Sequence, residues 1–246
     1  MKYTNKLLLY IDILGFRDYI SESVTNNDLL KNLFSAIEKK PSKIQPEQYI
    51  LLDIGDLSQA EVEISHFSDT VVLTTEDSYR GLLYLLMYSI KVYYRLIKLN
   101  LYFRGSIVSG QIIHTKDNIL GHSLIKAYDL ERDIANYPRV IIDESALHVI
   151  DKETKERQRF INQFIRNDHT DNQKYVHVLF AYGQMKFEVN QCNELFRNIN
   201  YNIEKAKMIV DSKLSRSIIS KYIWFSNYMS DVTGKQNLKL PSILAR

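Results

Sequence analysis

Two aspartates stand where predicted strands end. Asp12 closes an apolar run within residues 7–16, and Asp69 lies between two β-like runs of residues 61–75, at the tip of a predicted hairpin. An acid at the end of a buried strand, close to a second acid on a neighbouring hairpin, can hold a divalent metal. Mg²⁺ usually takes one or two carboxylates and leaves its other positions to water and substrate phosphate. The two acids therefore predict a divalent metal site.

Gly15 follows the first acid and opens a predicted helix. The backbone N–H groups at such a helix start favour an anion. Paired acids beside an anion site suggest a nucleoside triphosphate site. Taken singly, Asp12 has the simpler interpretation of a cap, and Asp69 that of a hairpin-turn residue. The combination favours the metal interpretation.

The composition is ordinary for a soluble globular chain of 246 residues, with 45% hydrophobic and 25% charged residues. A net charge of +3 is too small to indicate nucleic-acid binding. Cys192 is the single cysteine, which excludes an internal disulfide and a cysteine zinc site. Asp12 interrupts the N-terminal apolar run too early for a signal peptide, and residues 81–90 are about half the ~20 residues that span a bilayer. We expect a cytoplasmic protein with no nucleic-acid or membrane partner.

Hydrophobic periodicity predicts an α+β fold of ferredoxin-like order. The predicted elements are a strand at 6–13, a helix from 27, a hairpin of strands 62–66 and 70–75, a helix at 79–97, a strand pair at 101–109 and 111–114 bent at Gly110, a helix at 123–135 and a strand at 138–143. This is a βαββαβ unit with an added αβ unit, an arrangement with helices on one face of the sheet. Many unrelated proteins share it, so the fold assigns no function.

The C-terminal part has a different sequence pattern from the N-terminal part. We expect one domain over residues 1–150 and an extension over 151–246. The extension is predicted to contain a strand at 175–182, a long helical region at 194–228 broken near Asp211, and a loose tail. The helical region is more apolar than a solvated helix needs. It is therefore expected to pack on the core or on a partner subunit.

Four motifs in order resemble class III nucleotidyl cyclase domains. They are DILGF at 12–16, FSDTVVL at 67–73, RGSIVSG at 104–110 and GHSLIKAYDLE at 121–131, and the resemblance spans roughly residues 6–143. It implies a palm-type cyclase domain that works as a dimer. Such a domain converts a nucleoside triphosphate to a cyclic 3′,5′-monophosphate and needs two Mg²⁺ or Mn²⁺ ions per site.

The forms DILGF, FSD, FRG and AY-x-LE are most similar to the bacterial antiphage Pycsar-type pyrimidine cyclases, as is the KY-x-W segment at 221–224. This resemblance implies a uridylate or cytidylate cyclase whose cUMP or cCMP acts as a second messenger in antiviral defence. A separate effector protein would respond to that messenger.

The resemblance also implies roles for single residues. Asp12 and Asp69 match the two metal-binding aspartates, and Ile13 would lend its carbonyl oxygen to a metal. Gly15 and Phe16 would bind phosphate through their backbone N–H groups.

The pattern departs from purine cyclases at four positions. The last core helix of those enzymes carries an Asn and then an Arg that stabilises the transition state, and Ile125 and Asp129 stand there instead. The positions that select a purine hold Ser65 and Asn118, whose hydroxyl and amide suit a uracil edge. Conventional adenylate cyclase activity is therefore not expected.

Another cation must replace the missing Arg. The candidates are Arg104, Lys126, Arg132 and Arg139, with Arg104 and Lys126 placed as catalytic and Arg139 as substrate-binding. Each of the four also has the simpler interpretation of a solvated or structural charge. We expect a homodimer in which a cation from one subunit completes the site of the other. The alternatives are an adenylate or guanylate cyclase, another palm-type nucleotidyl transferase, and a catalytically inactive cyclase-like nucleotide sensor.

Overall fold

A mixed β-sheet dominates Met1–Val178, one of the two compact units of the chain. The computed structural model describes residues 2–37, 57, 60–180 and 189–234. The strands are β1 (Thr4–Leu14), β2 (Glu63–Phe67), β3 (Thr70–Glu76), β4 (Tyr102–His114), β5 (Ile119–Leu120), β6 (Val140–Ile142), β7 (Ile165–Asn167) and β8 (Lys174–Val176).

The strand order confirms the ferredoxin-like prediction. The sheet runs β2-β3-β1-β4-β6-β8-β7, and β5 pairs with the end of β4. The pairs β2–β3, β3–β1 and β1–β4 are antiparallel, as in a βαββαβ unit, and β6 joins β4 in parallel through the added helix.

The described residues of this unit form six helices: α1 (Phe16–Ser23), α2 (Asn27–Ile37), α3 (Tyr79–Ile97), α4 (His122–Asp133), α5 (Glu144–Asp151) and α6 (Lys155–Asn162). The predicted helix at 79–97 is confirmed, and its first turn is capped by the Ser78 side chain, which accepts from the Gly81 N–H.

The two sides of the sheet carry different helices. The α4 residue Ala127 packs with Leu8, Val72 and Val108 on one side. A Cβ built on Gly81 of α3 would lie 2.8 Å from Thr75 Oγ1, so α3 covers the opposite side. The expectation of helices on one face holds for α2 and α3 of the βαββαβ unit and fails for α4, because the added unit crosses to the other face.

Several elements differ from the predictions. Residues 102–114 form one continuous strand rather than a pair bent at Gly110, because β1 pairs with it from Tyr102 to Ile112 and Gly110 lies opposite Lys6. Periodicity did not identify α5, α6 or β7, which are short. The predicted strand at 175–182 is observed only as β8: residues 177–180 are not strand, and residues 181–182 lie outside the described residues. The predicted C-terminal tail lies almost wholly outside the described residues.

The sheet continues past residue 150 through β7 and β8, and the compact units meet between Val178 and Leu179. The boundary expected at residue 150 stays a prediction about the domain organisation.

The second unit, Leu179–Arg246, contains α7 (Val189–Lys207) and α8 (Ser212–Thr233). The break predicted near Asp211 is confirmed, because the Asp211 side chain caps α8 by accepting from the N–H groups of Lys213 and Leu214. Cys192 is a buried thiol. None of the described helices is both long and apolar enough to cross a bilayer.

Candidate active site

The end of β1 brings the two predicted metal ligands together. Asp12 lies opposite Thr70 at the start of β3, and the Ile13 N–H donates to the Asp69 carbonyl oxygen at 2.9 Å. Ser68 adopts a positive φ of 57°, which allows the two-residue turn between β2 and β3. Asp69 therefore directly precedes Thr70, the residue that pairs with Asp12. Within the described residues its carboxylate makes no hydrogen bond or ion pair.

A second acid and an arginine stand behind Asp12. Asp12 is opposite Arg104 on β4, and Arg104 Nε lies 3.4 Å from Asp12 Oδ2 and 2.5 Å from Glu131 Oε1. Glu131 projects from the last turn of α4 and is 3% exposed. Ser106 fixes this helix to β4 because its hydroxyl donates to the Ala127 carbonyl oxygen at 2.7 Å. Arg104 thus links the strand that carries Asp12 to α4.

The charges at this strand end leave an excess of negative charge. One cation, Arg104, stands among the carboxylates of Asp12, Glu131 and Asp69, so two formal negative charges remain. No group of three or more His, Cys, Asp or Glu side chains arranged to hold a metal occurs among the described residues. A Mg²⁺ site needs only one or two carboxylates, with hard oxygen donors. Asp12, Asp69 and the Ile13 carbonyl fit that requirement.

The predicted phosphate-binding turn follows immediately. Gly15 has φ 82°, a left-handed conformation that favours glycine, and it starts α1 without a side-chain cap. Its carbonyl oxygen accepts from the Tyr19 N–H at 3.2 Å, so the earlier amides of the first turn, including that of Phe16, have no partner in that helix. These amides follow directly after the strand that carries Asp12.

An aromatic wall lies beside the acids. Tyr10, two residues before Asp12, places its hydroxyl 3.5 Å from Thr70 Oγ1, and its ring packs edge-on against Tyr128 of α4 at 6.0 Å between centroids. Burial is the main cause that raises the pKa of Tyr10, and the charges of Glu131 and Asp12 add to it. Tyr10 is therefore a protonated phenol at neutral pH and senses the acidic cluster.

The two predicted base-selecting residues lie at the other end of the same surface. Ser65 of β2 is half-buried and 2.9 Å from His114 Nε2. Asn118 is exposed in the turn between β4 and β5, where its N–H and carbonyl oxygen bond to Thr115. Its neighbour Ile119 pairs with His114. The structure therefore places both residues next to His114.

Of the predicted cations, only Arg104 contacts a predicted metal ligand. Lys126 pairs with Asp143, the cap of α5, at 2.6 Å. Arg132 is half-exposed on α4 and pairs with its helix neighbours Asp129 and Asp133.

Arg139 is placed differently from the prediction. It is fully buried, and its guanidinium pairs with Asp168 and Asp171. Its backbone carbonyl accepts from the Gly105 N–H, so the residue ties β4 to the following segments. A guanidinium held by two carboxylates below the surface has a structural role, which corrects its assignment to substrate binding.

The two positions that replace the Asn and Arg of purine cyclases lie on the exposed side of α4. Ile125 is 60% exposed, and both Ile125 and Asp129 line an open groove of about 540 Å³. The other residues of this groove are Ser109, Gly110, Gln111, His122, Ser123, Lys126, Leu130, Asp133 and Ile134. Asp12 and Asp69 do not line it.

Sequence reasoning missed Glu131, Tyr10 and His114 as members of the site. Glu131 lies in a motif that the sequence analysis quoted, but its partner Arg104 is distant in the chain. Tyr10 was indistinguishable from a core residue in an apolar strand. The bent strand pair that we had predicted gave no reason to expect His114 beside β2.

No protein-family model and no curated protein matches the sequence. Solved structures do align with it. The monomeric guanylyl cyclase domain of the RhoGC fusion protein from the aquatic fungus Blastocladiella emersonii is 13% identical, with a TM-score of 0.43, over 71% of this chain and 95% of that one.

Two other structures align similarly. A class III adenylyl cyclase-like ATP-binding protein from Pseudomonas aeruginosa is 16% identical, with a TM-score of 0.41, over 72% of this chain and 39% of that one. An adenylate/guanylate cyclase/hydrolase from Silicibacter pomeroyi is 12% identical, with a TM-score of 0.40, over 72% and 95%. Likeness at this level carries no argument, so the α+β fold assignment rests on the strand order and registers.

Proposed function

We propose that the chain is a cytoplasmic nucleotidyl cyclase that converts UTP, or CTP, to the cyclic 3′,5′-monophosphate and pyrophosphate. The observation that carries this proposal is the convergence of Asp12, Asp69 and the Ile13 backbone beside the uncapped start of α1. Acids next to amides that favour an anion suit a triphosphate with its metal ions.

The reaction is an intramolecular displacement. The ribose 3′-oxygen forms a bond to the α-phosphorus, the bond from that phosphorus to the bridging oxygen breaks, and pyrophosphate leaves while the 3′-hydroxyl proton passes to solvent. Two Mg²⁺ or Mn²⁺ ions held by Asp12, Asp69 and the Ile13 carbonyl would stabilise the attacking and leaving oxygens.

The remaining residues position and balance charge. Arg104 holds Asp12 in place through an ion pair that Glu131 also shares, and the α1 amides at Gly15 and Phe16 receive phosphate oxygens. Positive charge next to the developing charge on phosphate speeds such a step. Arg104 is the candidate nearest the acids.

Base recognition falls to Ser65 and Asn118. Both can donate and accept hydrogen bonds, which suits the O4, N3–H and O2 edge of uracil. The rings of Tyr10 and Tyr128 would limit the space available to the nucleotide between the base-recognition residues and the acids. The cyclic pyrimidine nucleotide would act as a second messenger in bacterial antiphage defence and would activate a separate effector protein.

We further propose that the active unit is a homodimer. Large apolar side chains are exposed on β2, β5 and α4. They are Phe67 at 51%, Leu120 at 44%, Ile125 at 60% and Tyr128 at 44%. A partner covering this surface would exclude water from the site and supply the missing cation.

The decisive experiment is incubation of the purified protein with each of the four NTPs and Mn²⁺ or Mg²⁺, with the products identified by mass. We expect cUMP or cCMP and pyrophosphate. Preference for ATP or GTP would establish the purine cyclase alternative instead. Binding of nucleotide without any product would establish the sensor alternative, which the substitutions at Ile125 and Asp129 favour.

Subunit mixing tests the shared site. Asp69→Asn chains mixed with chains mutated at the partner-supplied cation should regain activity, because one of the two sites in a mixed dimer is intact. Arg104→Ala chains should not complement Asp69→Asn, since Arg104 contacts Asp12 in the same subunit. Lys126→Ala and Arg132→Ala are the chains to mix. A monomer with a concentration-independent specific rate would refute the dimer.

A further inference from the structure

A buried chain of three polar side chains lies behind the candidate base-binding position. His114 Nε2 is 2.9 Å from Ser65 Oγ, and His114 Nδ1 is 2.9 Å from Thr74 Oγ1. Thr74 is fully buried, and His114 is 6% exposed. Within the described residues, His114 is the only hydrogen-bond partner of either hydroxyl. The three side chains therefore form a hydrogen-bonded chain from Thr74 through His114 to Ser65, which we call the relay.

The direction of these hydrogen bonds follows from the protonation of the ring. Burial lowers the pKa of His114 below its ordinary 6.5. The charge of Glu63 opposes this shift and the charge of Lys6 adds to it, and the imidazole is neutral at neutral pH. A neutral imidazole has one donor and one acceptor nitrogen.

The buried hydroxyl of Thr74 decides between the two tautomers. Among the described residues its hydrogen has only Nδ1 as an acceptor, and a buried donor without an acceptor carries the full cost of desolvation. Thr74 therefore donates to Nδ1. The ring proton then sits on Nε2, which donates to Ser65 Oγ.

We infer that Thr74 and His114 are positioning residues that hold the Ser65 hydroxyl as a hydrogen-bond donor toward the base. This inference rests on the proposed function. A base with a carbonyl at this edge, such as uracil, accepts from Ser65. Cytosine presents an amino group there; it can donate to the remaining lone pair of Ser65, but the Ser65 hydrogen then loses its acceptor. The relay thus selects UTP over CTP.

The position of Ser65 suits contact with the base of a nucleotide whose phosphates lie at Asp12. Ser65 is opposite Val72, which is opposite Tyr10, and this row is two residues along the sheet from the row that contains Thr70 and Asp12. Two strand spacings and two residue rises separate the Cα atoms of Ser65 and Asp12 by about 12 Å. That distance is comparable to the length of an extended mononucleotide.

The test measures kcat/KM for UTP and CTP in the wild type and in Thr74→Val. We expect the wild type to prefer UTP by ~10-fold, since one mispaired hydrogen bond in a half-buried site is at stake. In Thr74→Val, Nδ1 has no hydrogen-bond partner in either tautomer, so neither tautomer is favoured; Ser65 both donates and accepts, and the ratio falls toward one. Ser65→Ala should lower kcat/KM for UTP more than for CTP, because the hydroxyl that the relay orients as a donor suits uracil.

Thr75→Val is the matched control. Thr75 is equally buried one residue further on, on the α3 side of the sheet, and its Oγ1 has no hydrogen-bond partner in the described part of the chain. This variant should keep the wild-type ratio. A folded Thr74→Val protein that also keeps the wild-type ratio would overturn the inference.

The tautomer is measured independently by ¹⁵N–¹H correlation of the imidazole, with His114 assigned by its loss in His114→Gln. A protonated Nε2 is expected, and a protonated Nδ1 overturns the inference whether or not the enzyme turns over. If no NTP yields product, the proposed function fails; equilibrium binding of UTP and CTP to the wild type and Thr74→Val then decides the inference by the same ratios.

Discussion

The ion pair between Arg104 and Glu131 offers a sharp test of how the site is held. Glu131→Gln keeps the size of the side chain and removes its charge. Breaking a buried ion pair costs about 3–5 kcal/mol. Arg104 is 19% exposed and retains Asp12 as a partner, and Gln can still accept a hydrogen bond. We therefore expect a loss of about 2–3 kcal/mol in the free energy of unfolding.

That loss corresponds to a fall in Tm of roughly 4–12 °C for a unit of this size. The matched control is Asp129→Asn, two residues earlier on the same helix, where an exposed carboxylate pairs with Arg132. Surface changes of this kind are usually within about 0.5 kcal/mol. Both variants are compared by thermal melting monitored by circular dichroism.

Enzymatic activity provides a second measurement on the Glu131→Gln variant. Without Glu131, Arg104 pairs more closely with Asp12 and competes with the metal for that carboxylate. Removing a residue that orients a ligand typically costs about 10–100-fold in metal affinity or activity. The Mg²⁺ concentration for half-maximal turnover should therefore rise by at least ~10-fold. If Glu131→Gln melts and titrates like Asp129→Asn, the charge cluster does not organise the site.

Three further predictions concern the metal ligand, the phosphate turn and the pH dependence of stability. Asp69→Asn should reduce turnover at least ~10²-fold with an unchanged melting curve, because it removes a metal ligand; near-normal turnover would refute the ligand assignment. Gly15→Ala should cost about 1–2 kcal/mol at φ 82° and also weaken nucleotide binding, whereas Gly234→Ala, at φ 66°, should cost similar stability and leave binding intact; equal binding in both would contradict the phosphate role. Burial and the charge of Arg166 lower the pKa of His177 to about 4, so the unfolded state binds more protons below pH 6.5. The free energy of unfolding should therefore fall by up to about 3 kcal/mol as the pH drops toward 4. Urea titrations of the wild type and His177→Gln should differ between pH 6.5 and 4, and an identical pH dependence would refute the lowered pKa of His177.

Local sequence patterns were sufficient for the long elements. The α3 helix follows from apolar residues at helical spacing, and its predicted bounds match those observed. The buried β1 strand follows from an unbroken apolar run, because both of its faces are covered. The short helices α5 and α6 follow from caps and packing rather than from periodicity, so they were not predicted.

The charged residues show the limit of sequence reasoning more clearly. Arg104 and Arg139 carry the same charge, and nothing in their flanking residues separates them. In the structure Arg104 reaches Asp12 near the end of β1, while Arg139 is enclosed by Asp168 and Asp171. Their different surroundings come from strand order and from segments distant in the chain.

The sequence by itself determined the ferredoxin-like order of elements and the placement of Asp12 and Asp69 at strand ends, because alternation, apolar runs and turn residues are local properties. Only the tertiary structure decided which side chains join them. The pairing of Tyr102–Ile112 of β4 with β1 sets Arg104 beside Asp12, and the same strand continues to His114, which reaches Ser65 and Thr74. Contacts between strands and helices far apart in the chain depend on register, and no local pattern encodes register.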